Sequence, residues 1–267
     1  LPRQFFDQYY DLIARRGEAA ALLPEVVLGN SRSHSLIYVP FEHVNSAAKI
    51  CFVGITPGPN QISDSYAAVR NLALRDEPRQ DIPERVKRYA AFGGPAMRPN
   101  LLRLINGTGL SDLLEISDAS QLWGDASHLI HSTSVVPHAA FNANSKPFNG
   151  SFEEVMRSPL LRESFELDFV ASLPALSDEC LFVALGPTPL DALRWCVERG
   201  HIAEDRLLGA FPHPSSNGGS QTDLYLGTKS IEDLKDRDPV RLRGYLIDWA
   251  SELRQKIETL RSANPRP

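Results

Sequence analysis

The sequence predicts an α/β fold: a three-layer α/β/α sandwich with a central, mainly four-stranded parallel sheet. Two observations predict it. Four short apolar runs, residues 49–55, 129–136, 180–186 and 206–211, have the length and composition of buried parallel strands. Between them lie segments of helical spacing, including 100–106, 152–173 and 189–199, and this alternation implies a parallel sheet covered by helices on both faces.

In chain order, residues 5–16 read as a helix, part of a flanking helical region expected over about 1–30. The first strand then runs into a loop rich in glycine and proline, and each later strand is also followed by loop residues. A last helix is expected over 239–261, where Leu242, Leu246, Trp249, Leu253 and Ile257 recur at helical spacing. Residues 263–267 read as a frayed tail. No internal repeat or low-complexity tract divides the chain, so 1–267 is expected to form a single domain.

Composition narrows the function classes. With 267 residues, 42% hydrophobic and 23% charged, the chain can bury a sizeable core. There is no run of eighteen apolar residues, and Arg3, Asp7, Asp11, Arg15 and Arg16 interrupt the first segment, so neither a membrane span nor a signal peptide is expected. Cys51, Cys180 and Cys196 lack C-x-x-C spacing and read as reduced core thiols of a cytoplasmic protein. The net charge of -5 argues against coating nucleic acid through an overall positive field. Yet residues 43–63, 85–111, 126–152 and 206–222 contain no Asp or Glu, although the chain carries 33. They hold Lys49, Arg85, Lys87, Arg88, Arg98, Arg103, Lys146, Arg206 and five of the seven histidines. Converging in space, they would make an anion-tolerant face on an acidic protein.

Ligands of parallel sheets bind outside the carboxyl ends of the strands. After the first strand comes Gly54-Ile55-Thr56-Pro57-Gly58-Pro59-Asn60-Gln61, rigid and with little side-chain bulk, so that a planar base or a phosphate could approach. Alone it reads more readily as a tight strand-to-helix turn. After the last strand comes Phe211-Pro212-His213-Pro214-Ser215-Ser216-Asn217-Gly218-Gly219-Ser220, a histidine fixed between prolines beside a polar loop able to meet phosphate oxygens. Alone it is equally a surface loop.

Together the two segments resemble the paired signature motifs of the uracil-DNA glycosylase superfamily, a G-x-[DNE/A]-P-G-type loop after the first strand and an H-P-S loop after the last. The stretch Phe92-Gly93-Gly94-Pro95, followed by an apolar helix, is similar to the family's base-stacking segment. Residues 132–137 are similar to the strand that ends in the base-reading residue, and Leu185-Gly186 to the following strand-to-helix turn. The resemblance covers about residues 48–222. It implies hydrolysis of the bond between a flipped-out base and its deoxyribose, with His213 donating to the departing base and Thr56 as the second catalytic position. Gly54, Ile55, Phe92, Ser134 and, as an alternative stacking ring, Tyr66 would bind the base. Pro57, Gly58, Gln61, Pro214, Ser215, Ser216 and Asn217 would meet the DNA backbone, with Arg98 and Lys146 as further phosphate candidates. The implied partner is uracil-containing DNA, single- or double-stranded, bound by a monomer. Neither a metal nor an organic cofactor is implied, and three cysteines are too few for the family branch that carries an iron-sulfur cluster.

Three positions depart from the family pattern. Thr56 stands where most members carry Asp, Asn or Glu, so the position can orient water but cannot act as a general base. Asp64 is the nearest carboxylate that could compensate. Ser134 stands where an Asn usually reads the base; one hydroxyl discriminates less than an amide, which predicts specificity broadened toward xanthine or hypoxanthine. His138, Asn142 and Asn144, in the loop that follows, are the candidates for the missing contact. Asn217 stands where some members carry a bulky wedge. The competing class is a lesion-binding protein without turnover. A hydrolase using Ser215 with His213 lacks a G-x-S-x-G elbow, and a nucleoside hydrolase lacks its aspartate cluster.

Overall fold

The computed structural model describes residues 2–215 and 220–263. Seven strands form two sheets: β1 (Val27–Asn30), β2 (His34–Ile37), β3 (Ile50–Gly54), β4 (Ile130–Ser134), β5 (Ala139–Asn142), β6 (Leu181–Leu185) and β7 (Leu207–Phe211). The larger sheet has the order β4-β3-β6-β7 with every pairing parallel. The expected four strands are therefore present, shorter by no more than two residues at either end. The smaller, antiparallel sheet, β1-β2-β5, was not anticipated. Its strands are four residues each and half-buried, too short to show a period of two.

The helices are α1 (Phe6–Arg16), α2 (Pro59–Ala73), α3 (Ile82–Ala90), α4 (Met97–Gly107), α5 (Leu110–Leu113), α6 (Phe152–Arg157), α7 (Pro159–Ser164), α8 (Pro187–Glu198), α9 (Gln221–Leu226) and α10 (Tyr245–Ala263). Three layers follow from strand alternation. On one face Cys51, Val53, Phe182 and Ala184 pack with Val155, Leu161, Leu193 and Cys196 of α6–α8. On the other, Ile50, Phe52, Val183 and Leu185 pack with Leu101, Leu104, Leu253 and Ile257 of α4 and α10. A third cluster joins α1, α2 and α3 through Ile13, Tyr66 and Val86. All three cysteines are buried free thiols, and burial pushes Cys180 and Cys196 up to about 12. Among the described residues no helix is long and apolar enough to cross a membrane.

Three expectations need correction. The region 17–30 is not a continued helix: α1 stops where Gly17 takes φ 56°, short 3-10 turns follow, and β1 begins at Val27. The segment 152–173 is broken at Pro159 into α6 and α7, then continues as π and 3-10 turns. Leu242 belongs to no apolar stripe; it ends a separate 3-10 turn, 89% exposed, and α10 starts at Tyr245. The tail expected at 263–267 lies outside the described residues beyond Ala263.

Candidate functional site

The strand order fixes where a ligand would lie. From β3 the chain crosses to β4 on one side, whereas β6 and β7 lie on the other, so the connections leave β3 and β6 in opposite directions. The crevice at such a reversal opens at the carboxyl ends of the two strands. Gly54 ends β3, and Gly186 follows β6 directly. His213 lies two residues past β7 at the same end. β6 alone separates β3 from β7, so their ends stand two strand spacings apart, ~10 Å.

Gly54 stands at that end of the sheet. A Cβ on it would stand 3.1 Å from Cε1 of Phe92 and 3.4 Å from Oγ of Ser134, so the fold brings these three residues together. The Ser134 hydroxyl makes no hydrogen bond among the described residues. Phe92 has φ 51°, a left-handed conformation costly for a residue with a side chain, and its amide donates to Oε1 of Gln61 at 3.2 Å. The ring is only 4% exposed, so a base can stack on it only if the segment 92–94 shifts. Asp64 borders that segment, 3.6 Å from where a Cβ of Gly93 would be.

His213 is held from several sides. The Ser215 amide donates to its Nδ1 at 3.4 Å, with the Ser215 hydroxyl 3.0 Å from the same nitrogen. Burial lowers the ring below its ordinary value of 6.5, which favours the neutral form near pH 7. With Nδ1 accepting, the ring proton resides on Nε2, which becomes a donor. The His213 carbonyl accepts from Gln221, whose Oε1 accepts from Arg243 at 2.7 Å, and the Pro214 carbonyl accepts from Asn100 at 3.0 Å. Asn100 lies in the first turns of α4, so that helix couples the Phe92 segment to the histidine loop. Gly186 has φ 109° and ψ 179°, a region almost restricted to glycine, and its Cβ would sit 3.7 Å from that of His213.

Several expected roles change in three dimensions. The Thr56 hydroxyl donates to the His138 carbonyl at 2.7 Å and accepts from the Ala140 amide at 2.9 Å, so its one proton clamps β5 to the loop. A water could meet only a remaining lone pair. Gln61 is buried, bound to Phe92 rather than free for a phosphate. Tyr66 is fully buried among α1–α3, its hydroxyl donating to the Tyr38 carbonyl at 3.0 Å, and cannot stack a base. Pro57 and Pro214 are buried, whereas Ile55 and Thr56 are partly open. Around Gly58 a Cβ would touch nothing, which leaves the start of α2 open. Arg98 is committed to the carbonyls of Tyr89 and Ala91 and to the Trp123 ring. His138 is buried between Phe5 and Tyr38, its Nδ1 accepting from the Val39 amide. Asn142 builds the turn that carries Asn144 and Lys146, both exposed. Ser216 and Asn217 lie outside the described residues.

Sequence reasoning missed Asn100, Gln221 and Arg243, for which no local pattern exists. Gly186 carried a signal, a glycine-proline step at the end of an apolar run.

Two substitutions test this construction. Thr56→Val should destabilise the protein by about 1–3 kcal/mol, because it leaves the Ala140 amide and the His138 carbonyl unpaired. Urea unfolding measures it, and a midpoint equal to that of the wild type would assign those bonds no role. Gly186→Ala should cost about 1–3 kcal/mol through its backbone, since the contact with His213 at 3.7 Å is ordinary. An alanine variant of full stability would show that the backbone there relaxes freely.

A parallel four-stranded sheet between helical layers, with the direction of its connections reversing between β3 and β6, defines a three-layer α/β/α protein. No family model and no solved structure matches the chain. The chain is similar to "Uncharacterized protein YoxB" of Bacillus subtilis (strain 168), 25% identical over 254 residues, 95% of this chain and 97% of that protein. The similarity includes the terminal regions as well as the sheet.

Proposed function

We propose that this chain is a DNA glycosylase of the uracil-DNA glycosylase type, releasing uracil from a flipped-out nucleotide and leaving an abasic site. The observation that carries the reading is His213: a neutral ring with its Nδ1 occupied by the Ser215 amide, held at the same sheet end as the Gly54–Thr56 turn. The N-glycosidic bond breaks with its electron pair going to the base, and the sugar becomes an oxocarbenium ion. A donor to the base oxygen lowers that barrier, since the charge it meets exists only as the bond breaks. Water then adds to C1′, and its proton leaves to solvent or to the departed base.

Phe92 and Ser134 flank the backbone of Gly54, and the three would form the base pocket. The open backbone at Gly58, followed by the Asn60 and Gln61 amides in the uncapped first turn of α2, suits a flanking phosphate. With one hydroxyl in the pocket, hypoxanthine and xanthine should be released as well as uracil.

The Thr56 bonds favour a second reading, a protein that binds the lesion without turnover, because the hydroxyl proton is engaged elsewhere. Single-lesion oligonucleotides containing uracil, hypoxanthine or xanthine, unpaired and opposite each normal base, decide between them. Alkali-labile breaks at the lesion support the glycosylase. Lesion-selective binding without breaks supports the second reading, and neither breaks nor selective binding overturns both.

A further inference from the structure

We propose that a separate cleft along the free edge of β4 binds a small molecule through an anionic group of phosphate or carboxylate size. The cleft encloses about 220 Å³. Its polar walls are His43 and Asn45 from the segment before β3, Lys87 and Arg88 from α3, Trp123, and His131 from β4. It lies toward the amino end of the sheet: Ser127 and His128 line it before β4 begins, and His131 is the second residue of that strand. His213 lies past the carboxyl end of β7, at the opposite end of the sheet, so the proposal does not depend on the glycosylase reading.

Two independent features point to an anion. First, three of the four acid-free stretches meet here: all lining residues except Glu84, Leu122 and Trp123 come from 43–63, 85–111 and 126–152. The fourth includes β7, on the far edge of the sheet. Second, Lys87 is 6% exposed and donates to the His43 carbonyl at 2.6 Å, with no carboxylate within ion-pair distance among the described residues. An ammonium has three donors, so others remain for a ligand. His131 adds a donor, because its Nδ1 accepts from the Asn45 amide at 3.3 Å and burial keeps the ring neutral, with its proton on Nε2.

An unpaired buried ammonium is costly, and an anion beside it removes much of that cost. Burial lowers Lys87 to about 7, despite Glu42 from the preceding segment and Cys51 from β3, which favour its charge. His43 and His131 face it from the segment and from β4, while Glu84 and Arg88 line the cleft from its own helix. Glu42 is already bound to the amides of Phe5 and Phe6. Binding an anion favours the charged lysine, so affinity should fall as pH rises above 7.

Isothermal titration calorimetry of the whole chain with inorganic phosphate and, separately, with acetate tests this at an ionic strength fixed with NaCl. Saturable binding is expected for at least one anion, with affinity falling tenfold or more between pH 6.5 and 8.5. The anion that binds identifies the chemical class. Lys87→Met should abolish the heat, and Arg88→Ala, an exposed change that spares the core, should weaken binding at least fivefold. Neither anion binding above the NaCl control, or both variants binding like the wild type, overturns the proposal. So does displacement of bound phosphate by lesion-free oligothymidylate, which would assign the cleft to nucleic acid.

Discussion

His213→Ala is expected to slow uracil release by about 100- to 1,000-fold, the usual loss when one preorganised donor to a developing oxyanion is removed. Binding of a uracil-containing oligonucleotide should change far less, because the donor acts on charge that is absent from the intact nucleotide. The wild-type profile carries a second expectation. Burial holds the ring below 6.5, so the neutral Nε2–H form persists from alkaline pH down through neutrality. Activity should stay level there and change only as pH falls below the ordinary imidazole range. The same shift makes the folded state bind a proton less readily than the unfolded chain, so this contribution to stability is present above 6.5 and is lost as pH falls. Single-turnover rates for both proteins from pH 5 to 9 measure the loss and its pH profile, oligonucleotide titration measures the binding, and urea unfolding across the same range measures the stability. Equal rates in wild type and variant would move the donor to another residue.

The largest stability effect is expected at Arg3→Met. Arg3 donates through Nε and Nη2 to both oxygens of Asp168, each at 2.7 Å, and the Asp168 side chain is only 4% exposed. Ser164 adds a third donor, and His138 Nε2 lies 3.9 Å away. Removing the guanidinium leaves a buried carboxylate without its cation, a loss of about 3–5 kcal/mol. That corresponds to a fall in Tm of roughly 10 °C for a chain of this size. The double variant Arg3→Met, Asp168→Asn should recover a large part, since the amide still accepts from Ser164 and has no charge to compensate. Calorimetric melting of the three proteins gives the comparison. A single variant melting within 2 °C of the wild type would mean that water reaches Asp168 and takes the place of the arginine.

The larger sheet was legible because parallel strands buried on both faces are nearly continuous apolar runs, as in Ile50–Gly54 and Leu181–Leu185. The short antiparallel sheet was not, because half-buried strands of four residues carry no period long enough to read. Nor was the break at Pro159, where apolar spacing continues across a change of helix. At the site, the glycines and prolines were readable because special backbone conformations demand particular residue types. Gly54 proved to be where Phe92 and Ser134 meet.

By itself the sequence determined the four strands of the larger sheet, their parallel arrangement, and the two loops that end the first and last of these four. Those properties are local, set by residue type and spacing along a few consecutive positions. Only the tertiary structure decided which polar groups remain available. It engaged the proton of Thr56 with the His138 carbonyl, bound Gln61 to Phe92, buried Tyr66, and gathered three of the four acid-free stretches around Lys87. A hydrogen bond or a buried charge depends on a partner tens of residues away, and the pattern around one residue does not name that partner.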